Sequence, residues 1–342
     1  RLAVRGAVFL LIGLLILHAM ARVVETVSPD GTAYLLRIDR RNIADLLANA
    51  DEAQAIAVGS SHGDDIDFSV TDYRGYQLSR AWGDVFETRY YLHYLVPKLP
   101  RLQAVFIPVS YFTFFWDNGS IDRLAVRRSH LYTAIPSGGF IPGDHWRFLE
   151  ARLHLLFPVK TILREDNWKG IVDALRTGSS PPDERSASPR DCRPLETDAL
   201  ANHARVRARE QIAFGAAVTR RREGIGDLTY DVLSETVQWL QEQGIRVVLF
   251  TPPYPEAYTA TYESESPQAL SLMKENARRL REELGAEYVD FSRDAGLSRD
   301  PSAFADGDHL NACGKRLFSK QLNTVLLAAN RGATKQLGEP RR

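Results

Sequence analysis

Short apolar runs alternate with longer segments of helical periodicity along most of the chain. Residues 55–59 and 104–110 have the clearest strand pattern, and the second run is almost wholly apolar, as in strands that are buried on both faces. The other strand candidates are 75–80, 246–253 and 287–292, and the helical candidates are 38–50, 84–96, 267–284 and 312–329. This alternation predicts an α/β fold with a doubly wound parallel sheet of flavodoxin-like order between two layers of helices.

A long interruption separates the third strand candidate from the fourth. Residues 112–229 exceed any ordinary crossover, so we expect an insertion within one domain that spans 38–330. Inside it, 145–157 and 159–176 are helical candidates, and the polar stretch 177–190 is typical of a loop. The insertion begins at the edge of the sheet where sites form, so it is well placed to act as a lid or a platform for a substrate. The alternative is that it only covers one side of the sheet. Residues 331–342 are a polar tail.

The first 22 residues have the character of a membrane segment. An uncharged apolar core from Ala7 to Leu17 is flanked by Arg1, Arg5 and Arg22, and counted generously the apolar stretch runs from Leu2 to Ala21. About 20 such residues span a bilayer, so we favour a single-pass transmembrane anchor. A cleaved signal peptide is the alternative, because residues 19–21 are small-x-small. Arginines ahead of the apolar stretch place the globular part outside a bacterial cytoplasmic membrane, on the periplasmic or extracytoplasmic side.

Composition narrows the classes of partner. The 342 residues include 43 basic and 43 acidic side chains, so the formal charges cancel. The sequence has no long basic stripe of the kind that binds nucleic acid, so we expect no nucleic-acid partner. Cys192 and Cys313 are the only two cysteines, which excludes a scaffold built on disulfides. One bridge is possible in an oxidising compartment, and the sequence leaves open whether the two cysteines pair.

Two segments carry residues typical of acyl-transfer chemistry. Ser61 follows the first strand, where its hydroxyl is either a nucleophile or simply the cap of a helix. Near the other end of the chain, Asp306 and His309 are three residues apart, so the carboxylate can orient the imidazole as a base. Asp308 is expected to face solvent or to cap the last helix. Both segments lie at the carboxyl end of the sheet, where sites form in such folds.

These residues resemble the SGNH/GDSL hydrolase superfamily. The Gly-Asp-Ser motif of that family falls on residues 59–61, with Ser60 in place of the aspartate, and its late Asp-x-x-His motif falls on residues 306–309. The resemblance implies that Ser61 attacks an ester, His309 moves the proton and Asp306 orients His309, with no cofactor. It covers about half of the chain.

The serine variant and the apolar amino terminus resemble anchored, exported members of this superfamily, of the alginate O-acetyltransferase and D-alanine transfer protein type. The resemblance implies a serine esterase or O-acyltransferase with the SGNH fold. Its substrate would be a cell-envelope glycan or an acylated small molecule, and its partners would be membrane acyl-transfer proteins.

The chain departs from the family where the oxyanion hole is completed. Members of the family complete the oxyanion hole with a glycine and an asparagine from two middle motifs. Gly83 is a stand-in for that glycine, but no asparagine lies at the end of the third strand, where Ser110 occupies the corresponding place. His62, next to the nucleophile, is expected to support the same region. One missing oxyanion donor costs about two to three powers of ten in rate, so we expect slow or strongly substrate-dependent turnover.

Two other classes of function use the same edge of the sheet. Oxygen and nitrogen ligands for a divalent metal are present at His62, Asp64, Asp65, Asp306, Asp308 and His309. Serine nevertheless stands where a metallophosphoesterase needs its first carboxylate, so we predict no metal.

A non-catalytic glycan-binding module is the other alternative. Aromatic rings near the expected site can stack on sugars, and the candidates for substrate contact are Tyr111, Trp116 and Tyr254. Clustered aromatic residues are, however, more often part of a hydrophobic core.

Overall fold

The structure is a computed structural model that describes residues 11–20, 41–80, 82–120, 195–294 and 296–337. It also describes the single residues 6, 9, 128, 131, 135 and 192. The chain divides into two compact units, residues 1–45 with 118–187 and residues 46–117 with 188–342. The second unit contains the sheet and every residue of the candidate site. The predicted helices at 145–157 and 159–176 and the predicted loop at 177–190 lie outside the described residues.

The centre of the second unit is a parallel sheet of five strands. The strands are β1 (Ala55–Ala57), β2 (Gly75–Gln77), β3 (Ala104–Pro108), β4 (Arg246–Thr251) and β5 (Glu287–Asp290). They lie in the order β2-β1-β3-β4-β5, and all four pairings are parallel. This is the order of flavodoxin-like sheets. The predicted α/β class and the five strand positions are confirmed: each strand begins at the predicted residue, and each ends two or three residues earlier than the sequence predicted.

Both faces of the sheet are buried, which explains the apolar runs. On one face, Phe106 and Phe250 pack with Phe318 of the last helix in the main hydrophobic cluster. The alternate residues of the same strands, such as Ile107 and Leu249, are equally buried. Since successive side chains of a strand point to opposite faces, helices or loops cover the sheet on both sides, as the three-layer prediction requires.

Among the described residues of the second unit, six helices of ten residues or more accompany the sheet. They are α1 (Val85–Leu95), α2 (Thr197–Arg221), α3 (Ile225–Glu242), α4 (Glu256–Glu265), α5 (Pro267–Leu284) and α6 (Ala312–Leu337). Asp84 caps α1 by accepting a hydrogen bond from the Glu87 amide. α3 packs on β4 and α1, and α4 packs on α2. Residues 41–48 are also helical, inside the predicted range.

The predicted transmembrane segment is described only in part. Residues 11–20 are helical, and the other residues of the apolar stretch, apart from 6 and 9, lie outside the described ones. Within the part of the chain that the structure describes, no helix combines the length and the apolar character needed to cross a bilayer.

The two cysteines form a disulfide. Cys192 and Cys313 are bridged across 121 residues of sequence, with their Cα atoms 5.4 Å apart. The bridge joins the segment that leads into α2 to the first turn of α6. The question that the sequence left open is therefore answered by the structure, and the bridge ties together two helices that both reach the candidate site.

Candidate active site

A glycine turn places Ser61 at the carboxyl end of β1. Gly59 has φ of 119°, a conformation that L side chains rarely adopt, and a Cβ there would lie 3.0 Å from Pro108 Cδ. The chain then enters a short 3-10 helix, Ser61–Asp65. Because this helix has only five residues, its dipole contributes little to the charge environment of Ser61.

A second tight turn presents His309. The Asp306 carboxylate accepts hydrogen bonds from the amides of Asp308 and His309, both at 2.9 Å, as aspartate side chains do in turns. Two residues further on, Asn311 accepts from the amides of Cys313 and Gly314, each at 3.0 Å. Asn311 therefore caps α6, a role that the sequence had offered to Asp308.

The two turns meet as predicted. His309 Nε2 lies 2.8 Å from Ser61 Oγ, although 248 residues separate them in sequence. On the other side of the ring, Nδ1 lies 3.0 Å from each carboxylate oxygen of Asp306. The His309 side chain is 21% exposed, so the ring is held in place while a path to solvent remains. Hydroxyl, imidazole and carboxylate thus have the contacts of a nucleophile, a base and an orienting acid.

Asp308 does not face solvent, contrary to the expectation from sequence. Its side chain is 2% exposed, and its Oδ1 atom lies 3.1 Å from His309 Nδ1. Arg207 Nε lies 3.2 Å from both Asp308 oxygens, and Gln211 Nε2 donates to Oδ2 at 2.6 Å. A buried carboxylate needs such partners, and α2 supplies both of them from one face at i and i+4.

His62 links the buried side of this group to β3. Its side chain is fully buried, with Nδ1 2.6 Å from Ser110 Oγ and Nε2 3.4 Å from Asp308 Oδ2. The ring also makes an edge contact with Tyr254 at 5.2 Å between centroids. His62 and Ser110 therefore pack on the buried side of the site, next to Asp308. For His62 this is the supporting position that the sequence suggested.

Burial and neighbouring charges shift the pKa values of the group in different directions. Burial disfavours a charged imidazole at His309, but the adjacent carboxylates of Asp308 and Asp306 outweigh it and raise the pKa of His309 well above its usual value. Burial also opposes ionisation of Asp308, yet His309 and His62 hold the pKa of that carboxyl well below its usual range. Burial lowers the pKa of His62. Burial thus favours the neutral form of His62, whereas the two carboxylates favour the charged form of His309.

The aromatic residues predicted to contact a substrate are corrected by their burial. The side chains of Tyr111 and Tyr254 are completely buried, and Trp116 is 1% exposed. Tyr111 and Tyr254 pack together at 4.9 Å between ring centroids, and Trp116 stacks on Phe214 of α2 at 3.7 Å. These rings belong to the core, and Tyr254 contacts the His62 ring. A ring that is buried inside the fold has no exposed face on which a sugar could stack.

The two predicted oxyanion donors are engaged elsewhere. The Gly83 amide donates to the Arg80 carbonyl at 3.0 Å, and a Cβ on Gly83 would lie 2.3 Å from the Gly59 carbonyl oxygen. Ser110 Oγ is fully buried against His62, as described above. Gly83 therefore permits the close approach of two loops beside Ser61, and Ser110 supports His62. Neither residue points a donor at a substrate in this conformation.

A buried acid next to the site has an unusual environment. Asp65 is completely buried. Its Oδ1 atom accepts from the Leu310 amide at 3.2 Å, whereas Oδ2 has no hydrogen-bond partner among the described residues. Burial raises the pKa of Asp65 from 3.8 to about 7. From the sequence, Asp65 was only one of the possible ligands of a divalent metal.

We expect Asp65 to make the stability of the protein depend on pH. Because the pKa is raised in the folded state, the free energy of unfolding should fall as the pH rises from about 4 to about 7 and then level off. The Asp65→Asn variant should lack this fall, which amounts to a few kcal/mol, about 4 at most. Urea unfolding at pH 4.5 and pH 8 measures it, with exposed Asp72→Asn as the control. Equal pH dependence in wild type and Asp65→Asn would contradict the assignment.

Sequence reasoning missed the partners of Asp308. Arg207 and Gln211 lie on α2, inside the range that the sequence assigned only to an insertion. Their spacing on one helix face is the single local signal, and it becomes informative only once α2 is known to pass beside the turn that carries His309.

Comparisons with known proteins add no assignment. A scan against models of protein families found no match, and a search of the curated proteins found none either.

Proposed function

We propose that this protein is a serine-dependent esterase or O-acyltransferase of the SGNH type that acts on a cell-envelope polysaccharide. The observation that carries the proposal is the contact of Ser61 Oγ with His309 Nε2 at 2.8 Å, together with that of His309 Nδ1 with Asp306 at 3.0 Å. These distances are within the range for proton transfer between a nucleophile and its base. The fold agrees, because sites of doubly wound sheets lie at the carboxyl ends of the strands.

The reaction would proceed in two steps. In the first, Ser61 Oγ attacks the acyl carbonyl carbon, its proton passes to His309, and the alcohol leaves with that proton as the ester bond breaks. In the second, water or a glycan hydroxyl attacks the acyl group on Ser61, and His309 takes and returns the proton again. The Asp306 carboxylate accepts a hydrogen bond from the proton on Nδ1, which keeps the imidazole in the tautomer whose Nε2 faces the serine without a proton. Water as acceptor gives hydrolysis, and a glycan hydroxyl gives transfer.

Slow turnover is part of the proposal. With the Gly83 amide and the Ser110 hydroxyl both engaged, the oxyanion has fewer donors than in most enzymes of this chemistry. Loss of one donor costs about two to three powers of ten in rate. A substrate that rearranges the loop at Gly83 on binding would restore it, so turnover is expected to depend strongly on the substrate.

The proposed location is outside the bacterial cytoplasmic membrane, with the apolar amino-terminal segment as anchor. The disulfide between Cys192 and Cys313 supports export, because such bonds persist mainly in oxidising compartments. A cell-envelope glycan or an acylated small molecule is then the accessible substrate, and membrane acyl-transfer proteins are the expected partners.

A metal-dependent hydrolase is the second candidate. Ligand atoms of His62, Asp308 and His309 lie within 4.8 Å of one another, which would suit a divalent ion. The position of Arg207 argues against a metal. Its guanidinium already pairs with the Asp308 carboxylate at 3.2 Å, and this positive charge would repel a metal ion bound to the same carboxylate. Loss of activity on treatment with a chelator, with no effect of Ser61→Ala, would favour this candidate.

Covalent labelling tests the proposal. A fluorophosphonate should add one phosphonyl group to the full chain, with loss of fluoride, and peptide mapping should locate the group on Ser61. We expect His309→Gln to label at least about a hundredfold more slowly, since general-base assistance contributes about two to four powers of ten.

His203→Gln, an exposed histidine on α2, is the matched control and should label like the wild type. A chelator should not change the rate. Adduct formation at another residue, or equal labelling rates in His309→Gln and His203→Gln, would show that the proposed site is wrong.

A further inference from the structure

His309 lies between two carboxylates rather than one. Asp306 and Asp308 approach the same ring nitrogen, Nδ1, at 3.0 Å and 3.1 Å. The Asp306 side chain is 52% exposed and the Asp308 side chain 2%. An exposed carboxylate is screened by water, whereas a buried one acts on its neighbour through a lower effective dielectric. The buried acid is therefore the stronger electrostatic partner of His309.

Asp308 is itself held by a layer of neighbours on α2 and α4. Arg207 contacts both of its oxygens, and Gln211 donates to one of them. The Gln211 carbonyl in turn accepts hydrogen bonds from the hydroxyls of Tyr258 and Tyr262. These bonds fix the orientation of the Gln211 amide, and so the position of Asp308 relative to the imidazole is set by two helices.

Groups from every side of His309 contribute to its charge balance. Its own turn supplies Asp306 and Asp308. The 3-10 helix supplies His62 and Asp65, and α2 supplies Arg207. Lys315 of α6 acts on Asp65, and the buried hydroxyls of Tyr254 and Tyr258 lie near Asp308. Among these groups, Asp308 is the carboxylate that contacts both the imidazole of His309 and the guanidinium of Arg207.

We propose that Asp308 is a positioning residue of the site, a buried second carboxylate that holds His309 together with Asp306 and whose effect is tuned by Arg207. This inference rests on the proposed function. In the resting protein the two acids stabilise the imidazolium form, which can protonate a leaving alcohol. Arg207 offsets part of the charge of Asp308 and so keeps the neutral form, which accepts the serine proton, within reach.

The inference predicts opposite shifts in two variants. Asp308→Asn removes a negative charge beside the imidazole, so the titration midpoint of His309 should fall by about one pH unit or more. Arg207→Gln removes the offsetting cation, so the midpoint should rise. Nuclear magnetic resonance of histidine-labelled full-length protein measures both midpoints, with the His309 signal assigned from its loss in His309→Gln.

Arg209→Gln is the matched control, because Arg209 lies on the same helix but pairs with Glu265 at the surface. Its His309 midpoint should equal that of the wild type. The alkaline limb of the fluorophosphonate labelling rate should move in parallel with each midpoint, which a residue with only a structural role would not cause. Should Asp308→Asn fail to fold, Arg207→Gln carries the test, since the Arg207 side chain is 27% exposed.

The outcomes separate the two proposals. Ser61-specific labelling with midpoints that shift in opposite directions supports this inference. Ser61-specific labelling with unchanged midpoints overturns it and leaves the proposed function standing. Absence of labelling at every pH overturns the proposed function and, with it, the role of Asp308 in the reaction.

Discussion

Replacement of Ser61 by alanine should remove ester cleavage almost entirely. The hydroxyl is the only atom that the proposed mechanism places on the acyl carbon, so the loss should reach about three to six powers of ten in kcat, as in serine enzymes that lose their nucleophile. Hydrolysis of an activated acetyl ester by the full-length protein measures it. The substitution removes the hydrogen bond between the Ser61 hydroxyl and His309 and no larger group, so the fold should not change, and thermal unfolding checks this.

Ser60 provides the control for this variant. Its hydroxyl is buried and has no hydrogen-bond partner among the described residues, so Ser60→Ala removes a polar atom that gains nothing from the fold. We expect wild-type turnover and equal or higher stability. If Ser61→Ala kept more than about a tenth of the wild-type rate, covalent catalysis by Ser61 would be ruled out.

Loss of the disulfide should produce the largest change in stability. The bond between Cys192 and Cys313 closes a loop of 121 residues, and in the chain-entropy account a loop of this length contributes about 4 to 5 kcal/mol. We expect a Cys192→Ser/Cys313→Ser double variant to lose about 2 to 5 kcal/mol in the free energy of unfolding. Denaturant unfolding with and without a reductant measures the loss.

The wild type and the double variant should unfold alike once a reductant is present, since neither then has the bond. The reductant should leave the double variant unchanged, because no other cysteine exists in the chain. A wild type whose unfolding does not respond to the reductant would show that the bond does not stabilise the fold.

The fold was predictable because its signals are local. Apolar runs of strand length, such as 104–108, and helical periodicity between them are properties of neighbouring residues. The helix at Pro267–Leu284 agrees with the prediction at both ends, since a proline opens it and Gly285, with φ of 64°, ends it. Strand ends agree less well, because pairing with the neighbouring strand decides where a strand stops.

The site was predictable in part. Ser61 and His309 each follow a strand of a parallel sheet, so topology alone brings them to one edge. The burial of Asp308 was not predictable, because a carboxylate in a turn is normally solvated unless other elements cover it. Here Arg207 and Gln211 cover it from a helix about a hundred residues away in sequence. The aromatic residues Tyr111 and Tyr254 were misassigned for the same reason, since burial depends on what packs over them.

The amino-acid sequence by itself determined the α/β class, the succession of strands and the pairing of an early serine with a late aspartate and histidine. Each of these follows from short-range patterns and from the rule that parallel strands end at one edge. Only the tertiary structure decided which carboxylates touch His309, which aromatic rings are buried and that the two cysteines are joined. Those properties depend on contacts between residues far apart in sequence, and the free energy of a buried charge or ring is set by its neighbours in space rather than along the chain.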